Sequence, residues 1–178
     1  MTPSQFKRLS KSKKAILVAQ DVLQQIKAKK YIPEKGAYIT NVWHDIKEGD
    51  IRKQFDKIKT CEVCALGSML LSCINLGNSI TTDDLDFNIA GSVRGINSSK
   101  IEGLFNSIFD PYQLLLIETS FENYNSDSDR YANDVLGQRL SDDDIYKCGK
   151  FYYKYTTSLN RIKAICNNII KNNGIFKL

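Results

Sequence analysis

The residues best suited to chemistry gather around one stretch. Cys61-Glu62-Val63-Cys64 carries two thiols at the spacing of half a zinc site. No second pair stands at ligand spacing, and Cys148 and His44 would complete four ligands only through a coincidence of fold. A thiol at the N-terminus of a buried helix is also where a nucleophilic cysteine sits, because the helix dipole stabilises the thiolate. Cys61 fits that position, with His44, the only histidine, as its base and the adjacent Asp45 as the only evident orienting group. Thioredoxin-type redox chemistry would want a strand before the pair and a βαβ context, and the pattern offers neither. Structural thiols are the expectation, with no catalytic residue, no metal and no cofactor.

Two acidic stretches have the alternating oxygen ligands of a calcium loop and fail its other requirements. From Asp84 the sixth place is Ile89 and the twelfth Gly95; from Asn125 they are Arg130 and Leu136. An EF-hand needs Gly and Glu there. Phosphate-cradling glycine-rich loops are absent too. What remains is Lys and Arg interleaved with aromatics. Trp43, His44, Arg52 and Lys53 lie in the first half, and Tyr152, Tyr153, Tyr155 and Arg161 in the second. Aromatic faces beside guanidinium or ammonium groups suit a nucleobase with its phosphates. Trp43, His44, Arg52, Lys53, Tyr152, Tyr153 and Arg161 are the candidate ligand-binding residues. Half-buried core tyrosines beside a solvated face are the alternative.

The elements that must position these residues read as helices. From Cys61 to Gly77 runs the longest apolar stretch of the chain, apolar on every side of a helical projection. It predicts a central helix over 61–76, capped by Thr60, with Gly67 and Ser68 admitting a close neighbouring helix. It is too short and interrupted to span a bilayer, which takes about 20 apolar residues. Ala15, Val18, Ala19, Val22, Leu23 and Ile26 form one stripe of an earlier helix that begins near Ser12 and stops at Pro33 and Gly36. A short extended piece is expected around Ala37–Val42, then a short helix from Asp50 to Lys59 with Ile51, Phe55 and Ile58 inward. Ser99-Lys100-Ile101-Glu102 reads as a capping box, and Asp110-Pro111-Tyr112-Gln113 starts a Leu-rich helix. A weak helix is expected around Tyr131 to Leu140, with mobile polar stretches at Asn123–Asp129 and Ser141–Asp144. Ser158 is expected to cap a last helix ended by Asn173-Gly174. The sum is an all-α fold of about six helices with little or no sheet.

The 178 residues read as a single domain with a flexible basic arm over 1–9, long enough to bury a core without disulfides or metal. Five cysteines, an odd number with Cys64 and Cys73 in the interior of the apolar run, point to reduced thiols and a cytoplasm. No stretch suits a membrane span or signal peptide. The net charge of +5 hides segregation: residues 1–60 carry 14 Lys/Arg against 6 Asp/Glu, residues 61–146 carry 4 against 14, and residues 147–178 carry 7 against none. Either the basic ends neutralise the acidic middle, or together they make a surface for a phosphate-bearing partner.

Three stretches also resemble a family of short, uncharacterised accessory proteins of tailed phages. They are Cys61-Glu62-Val63-Cys64-Ala65-Leu66-Gly67, the run from Gln113 to Glu122, and the run from Arg161 to Phe176. The middle loops and the basic arm are less alike. The resemblance implies a phage accessory protein in a bacterial host cytoplasm, a class that often counters host defence, in some cases by sequestering nucleotide immune signals. The expected function is therefore capture of a small nucleotide-derived signal, or blocking of a host defence protein, without catalysis. The alternative is a nucleic-acid-binding accessory protein, with a cysteine enzyme a distant third. A homo-oligomer is compatible with either.

Overall fold

The apolar run that reads as one helix divides into a strand and a helix. The computed structural model describes residues 1–40, 45–77, 80–84, 99–123 and 139–178. In it Cys61–Val63 is strand β3, and helix α4 spans Ala65–Gly77. Cys61 and Val63 are buried while Glu62 between them is half-buried, the two-residue alternation of a strand. The periodicity is hidden in the sequence because three residues are too few to separate a period of 2 from one of 3.6. Thr60 therefore precedes a strand and caps no helix.

β3 is the middle of a three-stranded sheet whose outer strands are β1 (Tyr31–Pro33) and β2 (Ile39–Thr40). β1 runs parallel to β3, pairing Tyr31 with Cys61, and β2 runs antiparallel, pairing Ile39 with Val63. The Thr40 hydroxyl donates to the Glu62 carboxylate at 2.9 Å, tying the outward face of β2 to β3. The fold is thus mostly helical with a small mixed sheet, a correction to an all-α expectation. The extended piece expected around residue 39 is β2.

Residues 34–38 join β1 to β2 and lie on the start of α4. The Glu34 N–H donates to the Val63 carbonyl at 2.9 Å, and the Cys64 N–H donates to the Ala37 carbonyl. A Cβ on Gly67 would lie 1.6 Å from the Tyr38 carbonyl oxygen, so only glycine fits there. The close approach expected at Gly67 exists, but to the backbone of this loop rather than to a helix.

Beyond the sheet, α4 is the buried hub. Every residue from Ala65 to Ile74 is buried, and each Leu, Ile or Met among them contributes about 1.5–3 kcal/mol by leaving water. Helix α2 (Lys11–Lys27), capped by Ser10, lays Ala15, Val18, Ala19, Val22 and Ile26 into the core. It packs on α4 and along the last helix. Residues 1–9, expected as a flexible arm, contain helix α1 (Pro3–Lys7), held by a reciprocal Thr2–Gln5 capping box. Its Phe6 is 1% exposed and packs against Gly77, where a Cβ would come within 2.8 Å of the ring.

Asp50 caps α3 (Ile51–Gln54), which passes into a 3₁₀ turn (Phe55–Lys57) and buries Ile51, Phe55 and Ile58 as the pattern predicts. Helices α5 (Ser99–Asn106) and α6 (Pro111–Glu122) follow. Pro111 starts α6 as expected, although the Asp110 side chain accepts from Lys11 Nζ at 2.7 Å instead of capping. Ser141–Asp144, expected as a mobile stretch, opens helix α7 (Asp142–Lys154): Ser141 caps it, and three aspartates suit the positive pole of its dipole. Helix α8 (Ser158–Lys171) is capped by Thr157, one residue before the serine expected, and buries Ile162, Ile165, Cys166 and Ile169. It ends at Asn173 and Gly174, both at positive φ. Residues 131–138 of the helix expected around Tyr131 to Leu140 lie outside the described residues, and Arg139 and Leu140 are in no helix. Residues 85–88 and 125–129 of the calcium-like stretches also lie outside the described residues. So does the capping role of Ser99.

Candidate functional site

Helix α8 splits the predicted binding residues from the ones that line its open face. Arg161, in its first turn, is only 4% exposed. Its Nη1 donates to the Tyr155 carbonyl at 3.1 Å and its Nη2 to Ser158 Oγ at 3.2 Å. The guanidinium carbon lies 4.1 Å from the Tyr152 ring centroid and 5.5 Å from that of Phe121. Arg161 thus closes the α7–α8 corner. Two donors of this expected ligand-binding residue are used internally, and its Nε is buried without a hydrogen-bond partner among the described residues.

Tyr152 is half-buried beneath that guanidinium, with Lys35 Nζ 5.3 Å from the ring centroid. Tyr153 is 71% exposed and accepts from Asn123 Nδ2 at 3.4 Å. Arg52 and exposed Lys53 lie on α3, which packs on α4 and on the 3₁₀ turn after it. Tyr152 and Arg161 instead contact Lys35 and Phe121, so among the described members of the predicted set Tyr152, Tyr153 and Arg161 are the ones brought together. Trp43 and His44 lie outside the described residues.

A groove of about 580 Å³ runs between the last turn of α7 and the solvent side of α8. One wall is aromatic. Phe151 and Tyr155 stand with ring centroids 4.8 Å apart, and Phe151 meets Phe176 edge-on at 5.4 Å. The other wall is the α8 stripe of Asn160, Lys163, Asn167 and Lys171, at spacings of three and four that bring them to one face. Ala164 keeps the floor low between them. Among the described residues neither lysine has a carboxylate partner. The remaining lining amide, Asn168, accepts from the Lys177 N–H at 2.8 Å and donates to the Lys177 carbonyl at 2.7 Å. That pairing holds residues 175–178 in place, and Phe176, 1% exposed, is held further by Gln113 Oε1, which accepts its N–H at 2.6 Å. The stripe of Asn160, Lys163, Asn167 and Lys171 was readable from sequence once the isoleucine face was set inward.

A second polar group lies inside, where α6, α4 and the β1–β2 loop meet. Cys64 sits at the strand-to-helix corner, and its Sγ accepts the Gly67 N–H at 3.4 Å. This is the position expected for Cys61, which instead opens β3. Burial pushes the Cys61 thiol up to about 12. Cys64 is pushed up by burial and then by the nearby Glu122 and Glu118 carboxyls. Both thiols are therefore protonated at neutral pH, opposite to an activated nucleophile. All five cysteines are buried, and none forms a disulfide. Among the described residues no group of three or more His, Cys, Asp or Glu could hold a metal ion. Glu122, 4% exposed, accepts the Gly36 N–H at 3.0 Å, and burial raises its carboxyl to about 7. Among the described residues no helix is long and apolar enough to cross a membrane. No protein-family model, curated protein or solved structure matches the chain.

Proposed function

We propose that the protein captures a small phosphate-bearing nucleotide ligand in the α7–α8 groove, without chemical turnover. One observation carries the reading: an aromatic wall faces two unpaired lysines, within a segment of 7 basic and no acidic residues. A base stacked on Phe151 or Tyr155 would gain about 1–3 kcal/mol per ring. Lys163 and Lys171 stand eight residues apart, about 12 Å along the axis, which brackets a ligand with two separated anionic ends, such as a dinucleotide or an ADP-ribose derivative. The volume suits a small-molecule site. Protonated, buried thiols favour binding over cysteine catalysis.

The resemblance to tailed-phage accessory proteins gives this capture a role. It would remove a nucleotide immune signal in a bacterial host, or the same face would block a host defence protein. A nucleic-acid-binding role is the second reading, favoured by Tyr146 and Tyr153, 61% and 71% exposed on α7, with Lys150 Nζ 4.4 Å from the Tyr146 ring centroid. Calorimetry with cyclic dinucleotides, ADP-ribose derivatives and a short single-stranded oligonucleotide separates the readings. Capture of a small ligand should be recoverable unchanged after denaturation and lost in Lys163→Glu/Lys171→Glu. Oligonucleotide binding that weakens steeply with salt would favour the second reading. Silence across the panel, with a defence protein co-purifying, would replace both by protein–protein inhibition.

A further inference from the structure

A separate hollow of about 400 Å³ opens on the other side of α2, between α1, α2 and α5. Its floor is apolar, made by Phe6, Ile80 and Leu104. Its rim carries Lys7 and Lys14, from the consecutive helices α1 and α2, and Lys100, from α5. Lys100 Nζ lies 2.6 Å from Asp84 Oδ2, and that oxygen also accepts the Thr81 N–H and hydroxyl at 2.8 Å each. Asp84 and Lys100 are thus engaged with each other, and among the described residues Lys7 and Lys14 form no ion pair.

Gly103 supplies an independent observation. It lies inside helix α5, where glycine costs about 0.5–1 kcal/mol relative to alanine. At Gly67, Gly77 and Gly174 a Cβ would strike a neighbour, at 1.6, 2.8 and 2.5 Å. Among the described residues nothing lies within 4 Å of a Cβ at Gly103, and its φ is not positive. Among those residues neither packing nor backbone geometry requires this glycine. What its missing side chain leaves open is the wall of the hollow, which it lines beside Ser107.

We infer that this hollow is a binding site for a small amphipathic anion, its apolar part on Phe6 and Leu104 and its head between Lys7 and Lys14, beside the Lys100–Asp84 pair. Ammonium groups act as point charges and do not select carboxylate over phosphate by geometry, so the shared chemistry is an anionic head on an apolar body. The site is independent of the α7–α8 groove.

The test is amide chemical-shift mapping of the full chain with phenyl phosphate and with hexanoate. Inorganic phosphate supplies the head alone and benzyl alcohol the apolar part alone. At least one amphipathic anion should shift the Gly103, Leu104 and Ser107 amides, at least tenfold more tightly than either control. A response to phenyl phosphate alone assigns a phosphate head, and to hexanoate alone a carboxylate. Lys7→Ala/Lys14→Ala should weaken the response at least tenfold. Gly103→Leu should abolish it while melting at the same temperature or higher. Shifts confined to the α8 groove would overturn the proposal. So would equal binding of benzyl alcohol, an unaffected lysine double variant, a full response in Gly103→Leu, or no response to either anion.

Discussion

Replacing Glu122 by glutamine should change how stability depends on pH. Glu122 is buried where α6 meets the β1–β2 loop, and its carboxyl is raised from 4.5 to about 7. Burial is the main cause; the Gly36 N–H, Lys35 and Arg161 oppose it, and Glu34 adds to it. A carboxyl raised on folding binds its proton more tightly in the native than in the unfolded chain, so stability falls as pH rises. The penalty is absent below about 4.5, grows between the two values, and is complete above about 7. At 1.36 kcal/mol per pH unit this is about 3 kcal/mol. Glutamine keeps an oxygen to accept the Gly36 N–H and cannot ionise. Urea unfolding of both proteins at pH 5 and pH 8 gives a double difference in which the other titrating groups cancel. The stability of Glu122→Gln relative to wild type should rise by about 2–4 kcal/mol between the two pH values. Parallel pH profiles, within about 0.5 kcal/mol, would refute the argument that burial governs this carboxyl.

Three other substitutions test the packing. Gly67→Ala should cost at least about 3 kcal/mol in urea unfolding, the upper end of overpacking penalties, because the obstacle is the Tyr38 backbone carbonyl; a wild-type midpoint would contradict it. Arg161→Glu should lower the melting temperature sharply, costing about 3–5 kcal/mol as a buried charge is reversed beside Glu122; a normally melting variant would return Arg161 to the candidate ligand contacts. Phe176→Ala should cost about 3–5 kcal/mol and weaken any ligand of the α7–α8 groove by loosening Phe151, and unchanged stability would detach Phe176 from that wall.

Long amphipathic patterns were legible in the sequence, as were the short α3 and the extended piece that holds β2, whereas strand β3 and helix α7 were not. The stripe from Ala15 to Ile26 became α2, and the Pro111 start and the Ile162–Ile169 face became α6 and α8, since each repeats over several turns. The strand Cys61–Val63 was not legible, because the helical residues after it continue the same apolar run. What makes it a strand is pairing with Tyr31–Pro33, thirty residues earlier in the chain. α7 was missed for a different reason. Asp142-Asp143-Asp144 reads as a polar loop unless Ser141 is taken as its cap. At the site, the basic aromatic character of the C-terminal segment was legible, but not which cation faces inward. Arg161 and Lys163 differ by two residues, about 200° around the helix, so the isoleucine face buries one and exposes the other.

The same geometry bears on the two readings of the charge pattern. Had the basic ends chiefly neutralised the acidic middle, ion pairs between them would be frequent. Among the described residues three salt bridges occur; Lys11–Asp110 joins the first basic segment to the middle and Lys147–Asp143 joins the last. The partners of both are exposed, with side chains 51% and 69% accessible in the first and 47% and 68% in the second, and such pairs contribute about 0–1 kcal/mol each. The hydrophobic seam between α2 and α8 instead lays the two basic segments along each other. Lys7 and Lys14 at the hollow and Lys163 and Lys171 at the groove come from those two segments. Apolar packing thus sets like-charged surfaces together, at a cost in self-repulsion. A bound anion offsets that cost, which is why both proposed sites call for anionic ligands and why salt should weaken each of them.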